Sequence, residues 1–217
     1  MTTTLRPTEA ELVRFDRVER IVHWTTATLF GVLMLTGAAL YTGPISTIVG
    51  RRDLVRDVHV IAGLALPVPI IVGLLGRWGR ALRLDLGRIN RWFADDRAWV
   101  RRQTRDGARL GKFNPGQKLN ATFLGAAIVL MFATGVVLKW FQPFPLSIRT
   151  GATFVHDWLA LAIWISITLH VVFALRDPDA LRAMLRGTIS ARWARTKRPR
   201  WYEETTGNSA DRLKVDR

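Results

Sequence analysis

The segment that decides the fold is FVHDWLALAIWISITLHVVFALR, residues 154–176. It is apolar over most of its length, and it carries two of the four histidines in the chain, His156 and His170. At about 1.5 Å of rise and about 100° of rotation per residue, the two imidazoles are expected roughly 21 Å apart on nearly the same helix face. The segment therefore predicts an apolar helix with one histidine near each end.

Three further segments have a similar apolar character: Ile21 to about Tyr41, Val58 to Gly76, and about Leu119 to Leu138. Each approaches the roughly 20 apolar residues that cross a hydrocarbon core of about 30 Å. The second segment contains Pro67 and Pro69, which lack backbone donors, so we expect a bend there. The pattern predicts an all-α membrane protein built as a four-transmembrane-helix bundle.

The charge and the missing cysteines narrow the function classes. A formal net charge of +15 suits either nucleic acid or an anionic membrane surface, and four segments of near-spanning length favour the membrane. The chain has no cysteine, which excludes cysteine-ligated iron–sulfur clusters, haem attached through Cys-x-x-Cys-His, and disulfides within it. We expect no nucleic-acid partner.

The distribution of Lys and Arg predicts the orientation. The N-terminus, the connection after the second segment and the C-terminal tail hold 27 of them, whereas the two remaining connections hold 5. Because positive loops stay inside, we expect a multi-pass protein of the bacterial cytoplasmic (inner) membrane with both termini cytoplasmic. The N-terminus has no apolar core ahead of a cleavage site, so we expect no removed signal peptide.

This topology divides the chain into three predicted regions: a cytoplasmic N-terminal segment (1–20), a transmembrane domain (21–176) that includes a cytoplasmic loop (77–117), and a cytoplasmic tail (177–217). Within the loop, apolar residues recur at helical spacing among arginines in GRINRWFADDRAWVRRQ, residues 87–103. This spacing predicts an amphipathic helix, either at the membrane surface or packed on a partner subunit. In the tail, Asp177 and Pro178 predict a helix start, and Gly187 predicts its end.

The predicted topology places the histidines in two pairs by depth. His23 and His170 lie near the cytoplasmic side, and His59 and His156 lie near the outer side. Two histidines at one depth on different helices suit bis-histidine ligation of haem iron, and two pairs predict two b-type haems. Zinc more often takes a third or fourth protein ligand. A haem-free transporter using the histidines for protons stays open, although no acidic residue lies in the middle of a segment.

Two other sets of residues have more than one interpretation. Arg14, Arg17 and Arg20 precede the first histidine and could pair with haem propionates, although arginines at this boundary are common for topological reasons alone. Glycines recur in the apolar segments, where they could admit a porphyrin or allow close helix packing, which is favoured for any single glycine. They are Gly31, Gly37, Gly63, Gly73, Gly125 and Gly135.

Four stretches of this sequence resemble a known family. They are RVERIVHWTTATLFGVLMLTG (17–37), GKFNPGQKLN (111–120), the His-x13-His helix (156–170) and ARWARTKRPRWYEE (191–204). Together they resemble the gamma subunit of membrane-bound formate dehydrogenase, a di-haem cytochrome b. The His-Trp and Leu-Thr-Gly elements of the first stretch are shared with other cytochromes b that serve hydrogenases and molybdenum enzymes, whereas the second and fourth stretches are more specific to the formate dehydrogenase branch.

The resemblance implies a role for each site residue. His59 and His156 are expected to ligate the iron of an outer haem, which receives electrons from an iron–sulfur subunit, and His23 and His170 that of an inner haem. Asn114, Gly116 and Gln117 are expected to line a quinone pocket on the cytoplasmic side. Without the resemblance, that segment is a turn and a helix start.

The resemblance also implies partners and a division of labour. Formate would be oxidised on a molybdenum or tungsten catalytic subunit, and this chain would have no catalytic residue of its own but would reduce quinone. The alternative function is a cytochrome b subunit of another periplasmic molybdenum oxidoreductase or of a hydrogenase.

Overall fold

Helices make up most of the chain in a computed structural model, which describes residues 10–44, 47, 50–102 and 108–211. The first nine residues of the predicted N-terminal segment and the last six of the predicted tail lie outside the described residues. In chain order the elements are β1 (Glu11–Val13), α1 (Arg17–Tyr41), α2 (Arg52–Ala65), α3 (Val68–Leu75), α4 (Arg80–Asn90), α5 (Ala94–Val100), α6 (Pro115–Lys139), α7 (Leu146–Leu175), α8 (Pro178–Arg186), β2 (Thr188–Ser190), α9 (Ala191–Lys197) and α10 (Pro199–Thr206).

Four helical segments are long and apolar enough to cross a membrane, which confirms the predicted fold class. They are α1, α2 with α3, α6 and α7, of 25, 24, 25 and 30 residues. The second is interrupted at Leu66 and Pro67, where the predicted bend falls, because a proline nitrogen cannot donate to the preceding turn. The fourth begins at Leu146, eight residues before the quoted apolar segment, because the more polar residues that precede it continue the same helix.

The chain divides into two compact units, and the first consists of residues 21–79 and 123–171. This bundle unit contains most of the four spans. Its buried apolar core is formed by Phe30, Leu66, Ala127, Ile128 and Ile163. Because the core residues come from α1, α6, α7 and the α2–α3 junction, one shared core holds all four spans of this unit together.

The second unit comprises the described residues of 1–20, 80–122 and 172–217. Its core contains three aromatic side chains, Phe15, Trp193 and Trp201, together with Ala183, Ile189 and Ala194. An antiparallel ribbon pairs β1 with β2 in the register Glu11 to Ser190 and Val13 to Thr188. Strands of three residues are too short for a recognisable sequence period, so the sequence did not predict this ribbon.

The predicted start and end of the first tail helix are confirmed. Asp177 accepts a hydrogen bond from the Ala180 backbone N–H at 3.1 Å, so it caps the N-terminus of α8. Gly187 follows the last residue and has a φ of 94°, the left-handed conformation that glycine adopts without strain.

The predicted amphipathic segment of the loop is divided into α4 and α5, so a single continuous helix is not formed. The break lies at Arg91–Phe93, where Phe93 has extended backbone and its N–H donates to Asp96 Oδ2 at 3.0 Å. The aromatic rings at the break face cations: the Lys118 ammonium lies 5.4 Å from the centre of Trp92, and the Arg200 guanidinium lies 3.7 Å from that of Phe93. A local helix cap and cation contacts therefore override the helical periodicity.

Buried ion pairs connect the loop helices to the start of α6. The Lys118 ammonium donates to Asp96 Oδ2 at 2.7 Å and to the Arg91 carbonyl at 2.7 Å, and the Lys118 and Asp96 side chains are only 3% and 2% exposed. Nearby, Lys112 contacts the carboxylates of Glu19, at 3.1 Å, and Asp85. Because charges removed from water need compensation, these contacts fix the positions of the segments that carry them.

Replacing Lys118 with Met should destabilise the protein by about 3–5 kcal/mol, because the Asp96 carboxylate would stay buried without a cation. Urea unfolding in detergent, followed by tryptophan fluorescence, measures the effect. The double variant Lys118→Met/Asp96→Leu should recover most of the loss.

The matched control is Arg56→Met, which removes the exposed pair with Asp57, whose side chains are 61% and 52% exposed. It should cost less than about 1 kcal/mol. If Lys118→Met costs no more than this control, the variant does not leave Asp96 as an uncompensated buried charge.

Candidate functional site

The four histidines form two pairs inside the bundle unit. The ring centres of His23 on α1 and His170 on α7 lie 6.2 Å apart, with an interplanar angle of 58°. Those of His59 on α2 and His156 on α7 lie 6.4 Å apart, with an angle of 64°. The structure therefore brings together the same residues that the sequence grouped by depth.

The two separations match what iron held between two imidazoles requires. A metal–imidazole bond is about 2.0–2.1 Å long, so two rings that bind one iron from opposite sides have centres roughly 6.3 Å apart. Aromatic rings that pack directly in this chain have similar spacings, 6.3 Å for Phe15 with Phe113 and 6.2 Å for Phe154 with Trp158, so the distance allows iron between the imidazoles but does not require it. The geometry of each pair fits a haem with two axial histidines.

Thr36 on α1 contacts the ring of His59, and its hydroxyl can set the tautomer of that histidine. The Thr36 hydroxyl donates to the Val32 carbonyl at 2.7 Å, within its own helix. Its oxygen lies 2.8 Å from Nδ1 of His59 and therefore accepts from that nitrogen. A proton on Nδ1 leaves Nε2 unprotonated, which is the form that binds a metal.

Thr134 on α6 makes the same contacts with His156. Its hydroxyl donates to the Leu130 carbonyl at 2.8 Å, and its oxygen lies 2.9 Å from Nδ1 of His156. Nε2 of His156 is therefore also left as the metal-binding nitrogen. The two histidines of this pair are oriented by equivalent hydroxyls from two other spans.

A glycine follows each of these threonines and lies against the histidine ring. A Cβ added at Gly37 would lie 3.4 Å from Cε1 of His59, and one added at Gly135 would lie 3.7 Å from Cε1 of His156. A Cβ at either position would be in ordinary van der Waals contact with the ring, so these two glycines pack directly against imidazoles. The sequence analysis did not predict the contacts of Thr36 and Thr134 with the histidines. The Thr-Gly dipeptide, which recurs at corresponding places in two apolar segments, could have indicated them.

The His23–His170 pair has a different environment. The Trp24 ring stands edge-on to His23, with ring centres 5.3 Å apart and an angle of 82°. Among the described residues, no threonine hydroxyl contacts either ring nitrogen of this pair. The two candidate sites therefore differ in how firmly the protein orients their imidazoles.

The donor set also separates haem from other metal sites. In the described part of the chain, no group of three or more His, Cys, Asp or Glu side chains converges as a metal site would require. Each histidine pair offers two nitrogens, which is enough only when another group supplies the remaining ligands. A porphyrin supplies four, so the residues fit haem better than a bare metal ion.

Asn114 and Gln117 form a reciprocal cap at the start of α6. Gln117 N–H donates to Asn114 Oδ1 at 2.8 Å, and Asn114 N–H donates to Gln117 Oε1 at 3.0 Å. A Cβ added at Gly116 would lie 3.4 Å from Asn114 Oδ1 and 3.7 Å from the Trp99 ring. The local geometry is that of a helix start, and each side chain keeps an amide nitrogen that can donate to a ligand.

Of the three candidate propionate partners, Arg14 is the most unusual. It is 2% exposed and donates to the Lys112 carbonyl at 3.3 Å, while its Nε and Nη1 have no hydrogen-bond partner among the described residues. Burial, and after it the charge of Arg198, lower the pKa of the Arg14 guanidinium to about 9. Arg17 is exposed, and Arg20 donates to the Leu185 carbonyl at 2.6 Å. Pairing with propionates stays a prediction.

Four apolar spans that enclose facing histidines define the class of membrane cytochromes b. Residues 14–187 match the model of the prokaryotic cytochrome b561 family, and the chain belongs to this family, whose name implies haem b. The match covers all four histidines.

Curated relatives are similar over most of their length. The chain is 29% identical over 206 residues to the formate dehydrogenase cytochrome b556(fdo) subunit of Escherichia coli K12, covering 89% of this chain and 92% of the relative. It is 25% identical over 205 residues to the formate dehydrogenase cytochrome b556 subunit of Haemophilus influenzae, covering 90% and 84%. It is 24% identical over 201 residues to the nitrate-inducible cytochrome b556(Fdn) subunit of E. coli K12, covering 89% and 91%.

Replacing Thr36 with Val should loosen one haem only. The variant removes the acceptor for His59 Nδ1–H, and loss of such an orienting contact typically weakens metal binding about 10- to 100-fold. We expect about half of the haem to transfer faster to excess apomyoglobin, with the other half unchanged.

Thr28→Val is the matched control, because the Thr28 hydroxyl bonds only the Trp24 carbonyl of its own helix, at 2.9 Å. Equal haem transfer from the two variants would show that the contact between Thr36 and His59 does not secure a haem.

Proposed function

We propose that this chain is the membrane-anchoring cytochrome b subunit of a formate dehydrogenase complex. In this role it passes electrons from an iron–sulfur subunit through two b haems to quinone. The observation that carries the proposal is the pair of histidine separations, 6.2 and 6.4 Å. The family match and the names of the relatives, each aligned over about nine tenths of the chain, support the choice of complex.

His59 with His156, and His23 with His170, would each hold one haem iron from both faces. Haem supplies one-electron transfer between ferric and ferrous iron when it is bound. Because each pair would supply two imidazoles to one iron, the protein would leave no ligand position for oxygen or substrate. The hydroxyls of Thr36 and Thr134 keep the protons of His59 and His156 on Nδ1. The residues therefore favour electron transfer over chemistry at the iron.

The two proposed sites are connected through α7. His156 and His170 are fourteen residues apart on this helix, which corresponds to roughly 21 Å along its axis. With this spacing, the two histidine pairs would hold their haems in series across an apolar layer of about 30 Å. One helix that contributes a ligand to each site fixes the distance between them.

The charge distribution supports the proposed orientation. With 27 of 32 Lys and Arg in three regions, those regions and both termini would face the cytoplasm of a bacterial inner membrane. Residues 21–176 then form the transmembrane haem domain, flanked by the segment 1–20 and the tail 177–217. The iron–sulfur subunit and the molybdenum or tungsten catalytic subunit would dock outside, so electrons would move inward.

Quinone reduction is assigned to the segment with Asn114, Gly116 and Gln117. Each amide nitrogen can donate to a quinone carbonyl while its oxygen stays in the helix cap. Gly116 keeps the backbone accessible beside Trp99. Proton uptake from the cytoplasm together with inward electron movement would build a membrane potential. Formate itself would be oxidised on the partner subunit.

The second candidate is a cytochrome b subunit of another periplasmic molybdenum oxidoreductase or of a hydrogenase. The family description, prokaryotic cytochrome b561, names no particular enzyme complex, so it supports this candidate as well. The names of the relatives favour formate dehydrogenase. In the assembled complex, formate should reduce the haems of this chain. Failure of formate to do so, with dithionite still reducing them, would favour the second candidate.

Asn114→Asp and Gln117→Glu should separate quinone binding from helix capping. Both variants keep the capping oxygen and lose the amide donor. A lost hydrogen bond to quinone is worth about 1 kcal/mol, so we expect haem reoxidation by a short-chain quinone to slow about five- to tenfold in stopped-flow experiments.

Reduction of the haems by formate is the internal control and should not change in either variant. Unchanged reoxidation in both variants would contradict a quinone role and leave the segment as a helix cap alone.

A further inference from the structure

A cavity of about 240 Å³ lies between α5 and the start of α6. Its lining is formed by three apolar residues, Trp92, Val100 and Leu119, and by two arginines, Arg97 and Arg101. Val100 and Leu119 are 46% and 52% exposed, so the apolar floor is open from outside. Its surface is almost wholly apolar, so the two arginines line it with their carbon atoms while both side chains stay exposed, and the proposed electron-transfer function uses none of these residues.

The two arginines carry charge that the described chain does not neutralise. They are four residues apart, so they lie on the same side of the helical segment. The acids of α5 are engaged elsewhere: Asp95 pairs with Arg200 at 2.9 Å and Asp96 with Lys118 at 2.7 Å. No ion pair among the described residues includes Arg97 or Arg101. The site therefore favours an anion from outside the chain.

The apolar floor shows what kind of anion fits. Leu119 is the fifth residue of α6, so the cavity is continuous with a helix that can span the membrane. Hydrocarbon chains lie beside such a helix, and phosphate headgroups lie at its ends. A small soluble anion would leave Trp92, Val100 and Leu119 unused, whereas an anionic phospholipid would use both parts of the lining.

We propose that this cavity binds one anionic phospholipid, with its phosphate on Arg97 and Arg101 and an acyl chain against Trp92, Val100 and Leu119. Basic pockets beside membrane helices bind such headgroups by charge, at about fivefold in affinity for each Lys or Arg. The lipid would bridge α5 to the first turns of α6, the segments that the buried pair of Asp96 and Lys118 also joins.

The test uses the full-length chain in detergent and native mass spectrometry. Dioleoyl phosphatidylglycerol is titrated against dioleoyl phosphatidylcholine, which has the same chains without net charge. The wild type should retain one phosphatidylglycerol in preference to phosphatidylcholine. The double variant Arg97→Gln/Arg101→Gln should weaken that binding roughly thirtyfold.

The matched control is Arg182→Gln/Arg186→Gln. This pair has the same charge and spacing, lies on α8 in the same unit, is exposed, and does not line the cavity. It should leave phosphatidylglycerol binding within about twofold. Equal losses in both double variants, or no preference over phosphatidylcholine in the wild type, would overturn the proposal, because the positive net charge alone would explain binding.

Two further ligands test whether the cavity binds a free phosphate or a quinone instead of a phospholipid. sn-Glycerol 3-phosphate carries the anion without acyl chains and should not be retained; retention as strong as that of the lipid would reduce the site to a free-phosphate site and overturn the proposal. A short-chain quinone should not displace the lipid. Displacement would assign the cavity to the electron acceptor instead.

Discussion

The fold depends on a constraint between imidazoles on different helices. One iron between two histidines requires ring centres roughly 6.3 Å apart, and the bundle holds two pairs at 6.2 and 6.4 Å. For one of the two pairs, every span contributes: α1 provides Thr36 and Gly37, α2 provides His59, α6 provides Thr134 and Gly135, and α7 provides His156. A shift of any of these helices by about half a turn would disrupt the pair. The apolar core of the bundle unit therefore has to satisfy the positions of these imidazoles as well as its own packing.

The unit formed from the segments outside the bundle is stabilised differently. Ammonium and carboxylate groups are buried together, as in Lys118 with Asp96 and in Lys112 with Glu19 and Asp85. Such pairs add little net stability, but breaking one is costly, so they specify which segments meet. The chain has 32 Lys and Arg but only 17 Asp and Glu, so its acids can neutralise only some of its cations. The acids of α5 compensate Lys118 and Arg200, whereas no ion pair among the described residues includes Arg97 or Arg101.

The four spans and the two histidine pairs could be predicted from the sequence, because the length and charge rules for membrane helices act on single segments. The lengths of the apolar segments predicted the spans, and the uneven distribution of Lys and Arg predicted their orientation. Together they assigned a depth to each histidine, which paired His23 with His170 and His59 with His156 from the sequence alone. The hydroxyls of Thr36 and Thr134 were missed because a threonine in an apolar helix usually bonds its own backbone, and these do so too. The break at Arg91–Phe93 and the three-residue ribbon depend on tertiary contacts that no local pattern records.

The central claim is that the two histidine pairs hold two b-type haems, and it is tested most directly by a dithionite-reduced minus oxidised spectrum of the purified chain with haem counted per polypeptide. The account predicts two haems in the wild type. It predicts one in His59→Ala and one in His23→Ala, because each substitution removes an axial ligand from a different pair. A wild-type chain without haem would contradict the account, and so would variants that both retain two.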